Sequence, residues 1–157
     1  MSRRRLSRAL TPVLRLAKAL LVVAVLLVGA VGCGAVHGRE DAAIAATREF
    51  RLALARHDGA AACAVVAPET RRELEQLAHE ACVRAVVAEE IPDGRGVVRR
   101  VDVYGDQAVV ELAASGGKPG AQGDTIFLAE FPSGWKVAAA GCTQRGERPY
   151  DCIIKGT

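Results

Sequence analysis

The first 33 residues constrain this chain more than any other stretch, because they set the compartment in which the rest must fold. Arg3, Arg4, Arg5, Arg8, Arg15 and Lys18 precede an uncharged apolar run from Ala19 to Val31, and no acid occurs before Cys33. A basic head, an apolar middle and small residues at the end is the layout of an export signal. The alternative is a signal that is never cut. The uncharged window Ala19–Val36 can be stretched to the roughly 20 residues needed to span a bilayer, although Gly29, Gly32 and Gly34 dilute it. In both cases the positive end stays in the cytoplasm and the remainder is exported. Ser2-Arg3-Arg4-Arg5-Leu6 has the paired arginines of a twin-arginine signal, which an ordinary basic head explains equally well.

Gly29-Ala30-Val31-Gly32-Cys33-Gly34 resembles the lipobox of bacterial lipoprotein precursors, with Ala30 where leucine is usual. The resemblance implies cleavage before Cys33 and a diacylglycerol on its thiol. The chain then divides into a signal peptide over 1–32, a tether over 33–40 and one domain over 41–157. The expected location is the extracytoplasmic face of the cell membrane, with the lipid bilayer as partner through the anchor.

Charge has to be counted without the signal. Six of the 21 Lys and Arg residues and none of the 18 acids precede Cys33, which leaves 15 against 18 and a formal charge of −3. A nucleic-acid partner calls for a basic face, and this balance argues against one. Half of the chain is apolar but only 4 % is aromatic, so the core must be built from Val, Leu, Ile and Ala. The length remaining suffices for one such core.

Cys63, Cys82, Cys142 and Cys152 remain after Cys33. An even number in an exported domain reads as disulfides, of which four cysteines allow three connectivities. Spacing favours the local pairs Cys63–Cys82 and Cys142–Cys152. A metal site using these thiols and His79 matches no familiar zinc spacing, so neither a metal nor a cofactor is expected.

From Ala42 to His57, Ala43, Thr47, Phe50 and Leu54 recur on one helical face, with Arg48, Arg51 and Arg56 assigned to the other. Asp41 is the expected N-cap, and Asp58-Gly59 the stop. A short helix over Ala60–Val66 is broken by Pro68. Glu69–Glu89 supplies one or two more helices, with Leu74, Leu77, Ala81 and Val86 as the buried stripe. Ile91-Pro92-Asp93-Gly94 ends the helical half. Beyond it the period becomes alternating: Val97–Tyr104 and Gln107–Ala114 flank Gly105-Asp106, and Thr125–Phe131 and Trp135–Ala140 flank Pro132-Ser133-Gly134. The glycine-rich stretch Ser115–Asp124 joins the hairpins as a mobile loop. The expected fold is α+β, with N-terminal helices packed on a four-stranded antiparallel meander.

This element order, over Asp41–Cys142, resembles the NTF2-like or cystatin-like cone. Gly134-Trp135-Lys136-Val137-Ala138-Ala139-Ala140-Gly141-Cys142, continuing to Arg148-Pro149-Tyr150-Asp151-Cys152, also looks like the C-terminus of uncharacterised actinobacterial secreted or lipoprotein-type proteins. The resemblance implies an exported accessory protein of unknown biochemistry, read here as a domain that binds an envelope protein or a small apolar ligand without chemistry. The alternative it implies is a pocket enzyme of the isomerase or dehydratase type. Proton-transfer candidates for such an enzyme are Asp102, Tyr104, Glu111 and Glu130, each expected on the solvated face of an antiparallel sheet. Tyr104, Phe127 and Trp135 are the candidates to line an apolar pocket, with core packing the plainer role for Phe127 and Trp135. The arginine pairs Arg71-Arg72 and Arg99-Arg100 are candidates to hold an anion.

Overall fold

The computed structural model of this 157-residue chain describes residues 37–92, 96–113, 123–146 and 148–156. The signal, Cys33 and most of the Ser115–Asp124 loop lie outside the described residues. The chain divides into the units Met1–Gly38 and Arg39–Thr157, and the second carries the fold.

Helix α1 covers described residues 37–55, so Asp41 is an interior helical residue and not an N-cap, and residues 37–40 of the expected tether are helical. Its buried positions Ala43, Ala46, Thr47, Phe50, Ala53 and Leu54 make the apolar face that the periodicity predicts. Arg51, expected on the outer side, is buried with them. Position 51 follows Thr47 by four residues and precedes Leu54 by three, so helical geometry places it on the inner stripe whatever its charge. The helix ends with His57 left-handed at φ 53°. The His57 N–H donates to Leu54 O and the Asp58 N–H to Ala53 O, both at 2.9 Å, the Schellman arrangement that satisfies terminal carbonyls. Asp58 then caps α2 (Gly59–Ala64), accepting from the Ala61 N–H at 3.0 Å.

Pro68 does more than break a helix: it opens α3 (Pro68–Ala78) at its first turn, where a missing N–H costs nothing. His79, left-handed at φ 54°, closes α3, and α4 (Cys82–Ala88) starts in a new register. That break corrects the predicted stripe. Leu74 and Val86 are buried, but Leu77 is 73 % exposed and Ala81 is exposed too. Helices α2 and α4 cross closely: a Cβ on Gly59 would lie 1.8 Å from Val83 O, so only glycine fits. The Cys63–Cys82 disulfide ties the same two helices.

The antiparallel strands β1 (Val98–Tyr104), β2 (Gln107–Leu112), β3 (Thr125–Phe131) and β4 (Gly134–Arg145) form the expected meander in the order β1-β2-β3-β4. Two short strands, β5 (Arg148–Asp151) and β6 (Ile154–Lys155), extend it beyond expectation, both pairing with β4. Residues Ala108, Val110, Leu112, Ile126, Leu128, Trp135 and Val137 are buried on the sheet's inner face. Register shifts against β3 mark irregularities in β4, which carries Gly141 at φ 66°. The free edge of β4 is filled by the α2–α3 junction: Ala67 N–H donates to Val137 O, and Val137 N–H to Val65 O, each at 2.8 Å. Further along, Ala138 O accepts from the Thr70 hydroxyl at 2.7 Å and from the Gly156 N–H at 3.1 Å. The fold is therefore α+β, with four helices and an antiparallel sheet of six strands among the described residues.

Candidate functional site

Helix α1 is staked to the sheet at two points. Near its start, Arg39 binds Gly105 O in the β1–β2 turn and the Glu130 carboxylate, and lies over the Trp135 ring at 5.4 Å. Three turns later Arg51 pairs with Asp124, just before β3. Twelve helical residues rise about 18 Å. The six residues from Asp124 to Glu130 extend about 20 Å. The two lengths match, so α1 runs along β3 in the opposite sense, and each arginine reaches an acid at one end of that strand.

The Arg51–Asp124 end is buried. Burial pushes the Asp124 carboxyl above its ordinary value, against the pull of Arg51 and of the Cys142 and Thr125 N–H groups. Asp124 Oδ1 and the Thr47 hydroxyl make no hydrogen bond of normal geometry. Beside Asp124 opens a polar cleft of about 160 Å³, lined among others by Arg99, Glu111, Gln144 and Tyr150. Tyr150 is held there by an edge-on contact with Phe127, ring centres 4.9 Å apart.

A second concavity, of about 370 Å³, lies between the α2–α3 junction and the β3–β4 hairpin. Val66, Pro68 and Phe131 give it apolar walls, and Arg71, Arg72 and Lys136 bring three cations to it. Arg71 Nη2 donates to Cys63 O at 3.0 Å and Lys136 Nζ to Ala64 O at 2.8 Å. Both acceptors belong to the last turn of α2, whose carbonyls have no partner within the helix.

The structure sorts the predicted residues as follows. Cys63 joins Cys82 and Cys142 joins Cys152, the local pairing favoured by spacing. Tyr104, Phe127 and Trp135 do not line one pocket. Trp135 is buried on the inner face opposite Glu130, whereas alternation puts Phe127 on the outer face, and Tyr104 is exposed there. Asp102 pairs with Arg100 at 2.6 Å, Glu130 with Arg39, and Glu111 lines the polar cleft. His57 and His79 are left-handed helix ends. Among the described residues no cluster of three or more His, Cys, Asp or Glu could hold a metal, and no helix is long and apolar enough to cross a membrane.

Sequence reasoning missed the Arg51–Asp124 pair and Lys136. The first had a signal, a charged residue at a stripe position. Lys136 had none, since it meets Arg71 only through the pairing of Val66 with Val137. Comparison with protein-family models, with curated proteins and with solved structures gives no match.

Proposed function

We propose that this protein is an exported lipoprotein, held on the extracytoplasmic face of the cell membrane by diacylglycerol on Cys33, whose domain binds a ligand without transforming it. The observation that carries the reading is the pair of disulfides following the lipobox-like stretch. All four cysteines after Cys33 are consumed in local pairs, which leaves Cys33 alone for another role. Disulfides of this kind persist in oxidising compartments. Helices first, then a meander whose last long strand departs from regular register, is also the layout of the NTF2-like cone, and we take the domain to be of that type. In such a layout the concavities beside the sheet are the binding sites.

Intact mass of the protein from washed membranes, with and without reduction, tests this reading. The expected species begins at Cys33, carries diacylglycerol and lacks four hydrogens until reduced. A chain that keeps its N-terminus and has no lipid would replace the lipid anchor with a membrane helix. A soluble product starting beyond Cys33 would remove the membrane altogether.

A further inference from the structure

We infer that the 370 Å³ groove between the α2–α3 junction and the β3–β4 hairpin binds a small organic phosphate monoester, its charged head on Arg71 and Lys136 and its apolar body against Val66, Pro68 and Phe131. The inference rests on the reading of the domain as a binding module and not on the tether. A volume of this size lies within the range of sites for small ligands, about 300–1,000 Å³.

Charge singles the groove out. The chain after the signal is acidic overall, yet among the described residues three cations and no carboxylate line this concavity. Arg72 is compensated by Glu69 at 3.0 Å. Among the described residues, Arg71 and Lys136 have only main-chain carbonyls as partners. Capping α2 explains why they are anchored but uses little of their capacity. A lysine ammonium has three donors and a guanidinium five, and each spends one on its carbonyl. Two charges are thus held in place from different elements, with donors left over for an anion. A planar guanidinium beside an ammonium suits a phosphate head, which can accept from both at once. The apolar walls distinguish an ester from the free ion.

Isothermal titration of the full chain in detergent, with phenyl phosphate, inorganic phosphate and phenol as probes, tests this. Phenyl phosphate should bind saturably and about tenfold more tightly than inorganic phosphate, weakening as salt is raised, and phenol should give no saturable heat. Arg71→Gln and Lys136→Gln should each weaken binding about fivefold or more, whereas Lys136→Arg should lose less than Lys136→Gln, because the charge is kept. Arg99→Gln, in the other cleft, should change nothing. Melting curves without ligand show whether each variant folds. If Arg71→Gln does not, the contrast between Lys136→Gln and Lys136→Arg decides. Absence of saturable binding by phenyl phosphate, or equal weakening by Arg99→Gln, overturns the proposal. Competition by vesicles containing phosphatidic acid would identify the ester as a lipid, and its absence as a soluble compound. A lipidated Cys33 with no phenyl phosphate binding would retire the groove alone, and binding by an unlipidated chain would retire the tether alone.

Discussion

The two ends of helix α1 are fastened to the same strand by the same kind of pair, an arginine and a carboxylate, in opposite surroundings. At Arg39–Glu130 both side chains are 37 % exposed, and the guanidinium also lies over Trp135. At Arg51–Asp124 they are 8 % and 7 % exposed. Water around the first pair weakens the attraction but also makes each charge cheap to leave alone. Around the second the attraction is stronger, and an unpaired charge has no solvent to turn to. The comparison teaches that a salt bridge is read by what happens when half of it is removed.

The largest expected effect follows at the buried end. Arg51→Met should lower unfolding stability in urea at neutral pH by about 3–5 kcal/mol, because it strands the Asp124 carboxylate. A loss below about 1 kcal/mol would mean that the two ends are equivalent after all. Asp124 contributes to the pH dependence with a definite sign. Burial raises its carboxyl above 3.8, so the folded chain holds this proton more tightly than the unfolded chain does. That contribution to stability is full below pH 3.8 and is lost as pH rises through the raised value. The melting temperature of the wild type, measured against Asp124→Asn, should therefore fall over that interval.

Next in size is the disulfide at the same end. Cys142 lies beside Asp124, and replacing Cys142 and Cys152 together by serine should cost about 3 kcal/mol through the reopened loop. Its urea midpoint without reductant should match that of the wild type only if the bridge does not form. The smallest effect belongs to the exposed end. Arg39→Met should cost about 1 kcal/mol or less, and molar salt should erase most of the ionic part while leaving the Arg51→Met loss intact.

Much of this molecule was legible in its sequence. Alternation and turn chemistry gave the four main strands, helical spacing gave the face Ala43, Thr47, Phe50 and Leu54, and loop length gave the cysteine pairs. Most of what stayed hidden depended on encounters between distant segments, and the rest on one local break. Arg51 sits at a stripe position but its charge reads as outward, because its partner Asp124 comes 73 residues later. Leu77 reads as inward because a left-handed histidine, where glycine is usual, conceals the helix break. The groove cations were half legible: the pair Arg71-Arg72 stands out, but Lys136 joins it only when Val66 pairs with Val137.

Strand β4 gathers the domain around itself, with β3 on one edge and Val66, β5 and β6 on the other. This arrangement also sets a timetable. Ile154 is buried in the core and β6 closes on Ala139 and Ala140, so a growing chain cannot complete this core until residue 154 has been made. Up to that moment the polypeptide lacks a finished interior.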